Sequence, residues 1–372
     1  MTDLHGIIYA YHSYSSLGEL VTHRTSASLP FCSRYRLIDF ALSSMRNAGV
    51  RDVGVIMQRD YQSLLDHLGS GKAWDLSRGS GGLRLLPPFG MHDSRLSEYK
   101  GCMEALSAMR SYIRDIKQTH IALFRGDLAV NLDLDEIFDH HLASGAEITA
   151  VCTETPLGSA EDGISFVPDT PTTSRRMLFT TTNIKSALPS VEVYIIRKSL
   201  LLDLIDWCSA NGKLHFHRDA LAHYLENGGK VSLYVHNGYI AHISTIPEYY
   251  AANMDMLNHD IICELFPEER PIYTRGRSSV STYYGENASA KNSLVADGCY
   301  IEGELENCVV FRRVKIKKGA KLKNCVIMQD TVVGEGANLT YVISDKEVTI
   351  SSGLVLTGSN ELPVTIPKGK SI

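Results

Sequence analysis

The sequence has no run of ~18 or more apolar residues, the length a helix needs to cross a bilayer, so no membrane-spanning helix is expected. Its opening residues, MTDLHGIIYA, hold neither a basic cluster nor a long apolar stretch, which argues against a secretory leader. A basic surface is missing as well. Lys and Arg total 37 against 42 Asp and Glu, a net charge of −5 with a pI of about 6.3, and this gives nucleic acid no electrostatic footprint. The eight cysteines are scattered and form no C-x-x-C pair, so reduced thiols in a cytoplasmic protein are the simplest reading. Of 14 histidines, only His140-His141 and His215-Phe216-His217 stand close together. Neither group has partners at zinc-ligand spacing, so both are read as surface or core histidines.

One further absence is local. Residues 6–20 read GIIYAYHSYSSLGEL. The strand-like run Ile7-Ile8-Tyr9-Ala10 enters Tyr11-His12-Ser13-Tyr14-Ser15-Ser16, a turn without glycine. A nucleotide-binding α/β domain commonly has glycines here, because a missing Cβ lets backbone N–H groups approach phosphate oxygens. Large side chains fill the turn instead.

What is present is ordinary for a globular chain of 372 residues: 44% apolar and 21% charged, enough for a sizeable core and more than one domain. Residues 1–255 alternate strand-like runs (7–10, 50–58, 120–125, 147–153, 191–197, 231–235) with helical ones (37–47, 101–116, 199–210). This predicts a Rossmann-like α/β domain with a mixed, mostly parallel sheet, and ligands outside the carboxyl ends of its strands. Residues 256–285 read as a linker with prolines at 267 and 271. From 286 to 372 the period changes. Cys308, Val314, Ala320, Val326 and Val332 are six apart, and Val310, Ile316, Leu322 and Met328 form a second track with the same step. Two six-residue tracks predict a left-handed parallel β-helix of hexapeptide repeats, with Val314, Ala320, Val326 and Val332 stacked inward on one wall. Antiparallel hairpins would instead alternate with period two.

The stretch LPFCSRYRLIDFALSSMRNAGV at 29–50 resembles glucose-1-phosphate adenylyltransferases. So do Ala73-Trp74-Asp75-Leu76, the run from Gly81 to Pro88, and Arg125-Gly126-Asp127, in the same order and with the same C-terminal half. The resemblance spans essentially the whole chain. It implies a first domain that joins ATP and glucose 1-phosphate into ADP-glucose and diphosphate for glycogen or starch synthesis, a β-helix behind it, and a tetramer. Such a reaction needs backbone donors, cations and carboxylate-held Mg²⁺ around the triphosphate.

Laid on this chain without a gap, the family's phosphate loop puts its three glycines on Tyr11, His12 and Tyr14, its arginine on Ser16 and its lysine on Ser26. Leu17 keeps its place. The family's helix start becomes Gly101-Cys102-Met103-Glu104-Ala105. One metal-binding carboxylate is kept as Asp127, and the other position holds His242. Gln58, Gly81, Gly82 and Gly101 remain as remnants of nucleotide binding, and Lys185 aligns too loosely to carry a role. Arg36, Asp39 and Trp74 are read as fold-holding residues, with Arg36 and Asp39 able to pair locally.

The pattern resembles the catalytically degenerate subunit that partners an active paralogue in this family. That implies a regulatory or stimulatory role in a heterotetramer. No cofactor is then expected for this chain alone, Mg²⁺ and ATP being used by the active subunit. A homo-oligomer of the chain, a working nucleotidyltransferase with an altered site, and a stand-alone sugar-phosphate or nucleotide sensor stay open at this point.

Overall fold

The structure is a computed structural model that describes residues 2–12, 14–79, 81–87, 99–155, 163–179, 186–276 and 278–372. Ser13, Pro88 and Lys185 lie outside the described residues. The apolar runs of the first half become one twisted sheet. Its strands lie side by side in the order Thr173–Ser174, Val231–Val235, Ile148–Cys152, Leu188–Arg197, His120–Arg125, Leu4–Tyr9, Asp52–Ile56 and Gly82–Leu86. Leu4–Tyr9 pairs in parallel with both neighbours, as near-continuous apolar strands buried on two faces do. The long strand Leu188–Arg197 runs antiparallel to both of its neighbours, so the sheet is mixed.

Helix Ile38–Asn47 is buried on two sides. Ile38, Ala41, Leu42 and Met45 join the core over the sheet, while Leu37 and Phe40 join a second cluster that reaches the C-terminal domain. The helical stretch 101–116 is two helices, Cys102–Ala108 and Arg110–Asp115, broken at Met109. Asp39 accepts the backbone N–H of Arg36 at 3.0 Å and sits 2.5 Å from His67 Nε2. Arg36 donates to Ser63, and the Trp74 indole donates to the Tyr273 carbonyl at 3.2 Å. All three residues are thus bonded within the fold, Trp74 across a long sequence separation.

The second domain is a left-handed β-helix of three walls, each with five parallel strands. Its first strand, Tyr283–Tyr284, pairs with Tyr300–Ile301 and so lies just before residue 286, where the six-residue pattern puts the domain's start. The predicted inward wall needs correction. Interior positions run Cys308, Val310, Val314, Ile316, Ala320 and Leu322, and then Cys325 and Ile327. One residue drops out at a corner occupied by Asn307, Asn324 and Tyr341, with φ of 52°, 52° and 54°. Asparagine tolerates this left-handed backbone better than most residues. Asn307 and Asn324, 17 residues apart, bond through their amides at 3.2 Å. A six-residue step therefore moves to the next wall, and neighbours on one wall are Val309, Val326 and Ile343. Val326 and Met328 face out of the solenoid into the cluster with Phe31, Tyr249, Tyr250 and Phe311 that joins the domains. Val332 is half-buried, and Val333 takes the interior place.

Helix Ile246–Asp255 supplies much of this junction. A capping box of Thr245 and Glu248 starts it, with proline in its first turn. Tyr249 donates to the Pro30 carbonyl at 2.6 Å and Tyr250 to the Asn324 carbonyl at 2.9 Å, so one helix ties both domains. Arg24, 3% exposed, meets Asp345 of the solenoid, 1% exposed, at 2.9 Å.

Candidate functional site

A cavity of about 1000 Å³ opens at the carboxyl ends of Leu4–Tyr9 and His120–Arg125, where a sheet of this kind places its ligand. The first loop forms one wall. Tyr11 and His12 stack at 4.7 Å between ring centroids, and the rings of His12 and Tyr14 lie parallel at 6.1 Å. The His12 carbonyl accepts the Ser26 N–H at 2.9 Å, which ties this loop to the next. Ser16 is exposed on the cavity wall. Ser26 is fully buried, its hydroxyl without a partner, and does not line the cavity. Leu17 packs into the inter-domain cluster.

Asp127 lies beneath this loop. It is 1% exposed and is covered by Arg125 and Tyr14 rather than open to the cavity. Arg125 grips it with two bonds, Nε to Oδ1 at 3.0 Å and Nη2 to Oδ2 at 3.1 Å. The third guanidinium nitrogen, Nη1, meets Glu192 Oε1 at 2.9 Å. The Tyr14 hydroxyl donates to Asp127 Oδ2 at 3.1 Å and also contacts Arg125 Nη2. Antiparallel pairing of Ile240–His242 with Leu128–Val130 sets His242 beside Asp127, with Nε2 3.4 Å from the Tyr14 hydroxyl. His12 Nδ1 is 4.0 Å from Asp127 Oδ2.

Burial alone would raise the Asp127 carboxyl, but the Arg125 guanidinium together with smaller contributions from its other neighbours outweighs it and holds the group at about 2. Glu192 is lowered in the same way, against burial and chiefly by Arg125. Burial, with Arg125 adding to it, pushes His242 down to about 4. His12 is lowered by burial despite Asp127 nearby. At neutral pH the cluster around Arg125 thus carries one cation, two carboxylates and the neutral imidazoles of His12 and His242.

The glycine remnants separate. Gln58 and Gly101 line the cavity, whereas Gly81 and Gly82 are not among its lining residues. A Cβ on Gly81 would fall 1.8 Å from Asp52 Oδ1, and one on Gly82 would fall 2.3 Å from the Leu76 carbonyl, both at positive φ. Gly101 has extended backbone, and a Cβ there would meet the Leu214 carbonyl at 2.2 Å. Close packing of the chain on itself explains each of these glycines.

A divalent cation does not fit these residues. Mg²⁺ needs carboxylate oxygens with room for water, and the Asp127 oxygens are taken by Arg125 and Tyr14. Among the described residues no group of three or more His, Cys, Asp or Glu is placed to hold a metal. Tyr11, His12 and Tyr14 line the cavity where glycines would leave backbone N–H groups uncovered for phosphate oxygens. Sequence reasoning overlooked Glu192 and the bond from Arg125 to Asp127. The available signals were a lone charge inside the apolar run Val191–Arg197 and an arginine two residues from the carboxylate.

Cavity and solenoid together define a nucleotidyltransferase-type domain followed by a hexapeptide β-helix. Residues 17–162 match the nucleotidyl transferase family and residues 278–362 match the GlmU-like, C-terminal hexapeptide family. The chain is similar to the glycogen biosynthesis protein GlgD of Bacillus subtilis, with 34% identity over 95% of this chain and 92% of that one. It is similar to GlgD of Geobacillus stearothermophilus, with 33% identity over 85% of this chain and 81% of that one. It also resembles the glucose-1-phosphate adenylyltransferase of Clostridium beijerinckii, at 31% identity over 86% of this chain and 83% of that enzyme. The chain belongs to the family formed by glucose-1-phosphate adenylyltransferases and the related GlgD proteins.

Proposed function

We propose that this chain is a non-catalytic, regulatory or stimulatory subunit of a bacterial glucose-1-phosphate adenylyltransferase acting in glycogen biosynthesis. The observation that carries the reading is the altered site: large side chains replace the loop glycines, and Arg125 holds the one retained metal-type carboxylate. Loss of one preorganised electrostatic stabiliser lowers a rate by about 10²–10³. Ser16, Ser26 and His242 stand at three such positions, and these effects combine without simple addition. The partner is the active paralogue, in a heterotetramer, and that subunit uses the Mg²⁺ and ATP. A working division of the chain is 1–255 for the nucleotidyltransferase-like domain, 256–285 for a linker and 286–372 for the β-helix. The setting is the cytoplasm. Among the described residues no helix is long and apolar enough to cross a membrane, and all eight cysteines are unpaired.

A consistent core whose retained metal-type carboxylate is covered points to shape and surface as what the domain supplies. Docked on an active subunit, the chain can alter it only through contacts that differ between that subunit's conformations, an effect of ~1–3 kcal/mol. The test is to mix the two purified proteins, follow them by size-exclusion chromatography, and compare substrate saturation curves with and without this chain. A joint peak with a shifted curve is expected. Separate peaks and superimposable curves would overturn the proposal.

A further inference from the structure

Three groups of this cluster belong to different parts of the fold, and Arg125 touches all of them. Its guanidinium binds Asp127 in the turn after its own strand, Glu192 on the neighbouring antiparallel strand and Tyr14 in the first loop. Glu192 reaches it from an unusual backbone. The pairing register shifts between Ser190 and Tyr194, and Glu192 sits inside this bulge at φ 59°, its N–H held by Ser190 Oγ at 3.1 Å. A non-glycine residue at positive φ inside a strand persists only where the surroundings fix it, and a bulge re-aims a side chain. Here the bulge aims a second carboxylate at the same guanidinium. Two carboxylates converging on one centre are what a divalent cation would bind, with water completing its shell. A planar cation occupies that centre instead, with every nitrogen engaged.

We infer that Arg125 is a built-in cation: it stands between Asp127 and Glu192 where a divalent metal would otherwise bind, closing the pocket to metal while linking its walls. This rests on the reading of the pocket as non-catalytic and adds the residue responsible for its lack of metal affinity. Arg125→Gln keeps a polar side chain of lesser reach and leaves two carboxylates uncompensated, a latent site for a hard divalent cation. Arg125→Lys keeps the charge.

The experiment titrates the full chain with Mn²⁺, reading free metal by electron paramagnetic resonance and fold by circular dichroism. Wild type and Arg125→Lys are expected to show no saturable site. Arg125→Gln is expected to gain one, tighter by about 10–100-fold than any wild-type binding, the range that groups next to a metal site typically control. Adding Asp127→Asn should abolish the gain. If Arg125→Gln does not fold, the same comparison is made with Arg125→Met, which keeps the side-chain volume, leaves both carboxylates uncompensated and is expected to gain the same site. Saturable Mn²⁺ binding by wild type that Asp127→Asn removes would overturn the inference, as would a folded Arg125→Gln variant with no gain. An inactive wild type beside a metal-free Arg125→Gln variant would overturn only the assignment to Arg125. Mg²⁺-dependent turnover by wild type would instead sink the non-catalytic reading beneath it.

Discussion

Asp345→Ala tests how the solenoid is fastened to the wall of the cavity. Arg24 lines that cavity, and its Nη2 donates to both Asp345 oxygens at 2.9 Å, with 3% and 1% of the two residues exposed. Arg24 Nη1 has no partner, so Asp345 is its chief compensation. The neighbouring Lys346 offers none. Burial pushes it down to about 6, with Arg36 and Arg24 adding, so it is mostly neutral at pH 7.5. Its backbone N–H donates to Asp345 Oδ1 at 2.7 Å, a bond the substitution also removes. Breaking a buried pair by deleting one partner destabilises by about 3–5 kcal/mol, because the other charge stays buried. At about 1.4 kcal/mol per decade, that is roughly a 10²–10⁴-fold fall in the folding constant. Replacing both residues, Arg24→Met with Asp345→Leu, removes the stranded charge, and such apolar replacements are often neutral or stabilising. The assay is urea unfolding at pH 7.5, followed by tryptophan fluorescence and by circular dichroism. Destabilisation of less than about 1 kcal/mol, the scale of an exposed pair, would refute the reasoning. So would a double variant no more stable than Asp345→Ala alone.

Val326→Asp puts a charge into the fully buried cluster between the domains and should destabilise by several kcal/mol, whereas Val355→Asp, at a position 64% exposed, should stay within about 0.5 kcal/mol; equal thermal shifts would contradict the burial of Val326. Burial holds His5, His141 and His242 each at about 4. The unfolded chain, with histidines near ~6.5, therefore binds more protons between these values. The stability these groups contribute is fully present above the unfolded value and falls as pH drops toward 4, by up to ~1.4 kcal/mol per pH unit for each histidine. His242→Asn should reduce that slope by about one proton, and a flat profile in unfolding experiments across this window would argue against buried neutral imidazoles.

The fold was legible where one period governs a segment. Strand His120–Arg125 and helix Ile38–Asn47 follow from apolar patterning because burial selects side chains by face. The solenoid's six-residue step was readable as well, but its dropped residue was not. Asn324 at φ 52° shortens a corner, and from there Cys325 and Ile327 point inward in place of Val326 and Met328. That shift depends on one residue's backbone, to which a periodicity count is blind. In the site, the replacement of the expected loop glycines was legible, and Tyr11, His12 and Tyr14 line the cavity there. The cluster around Arg125 was not, because the pairing of Arg125 with Glu192 joins residues distant in sequence through a β-bulge.

The most direct measurement is ADP-glucose formation by this chain alone, purified without any paralogue, from ATP and glucose 1-phosphate with excess Mg²⁺. With the loop glycines replaced and Asp127 held by Arg125, no product above background is expected. Turnover near that of ordinary enzymes, ~10 per second, would contradict a non-catalytic subunit.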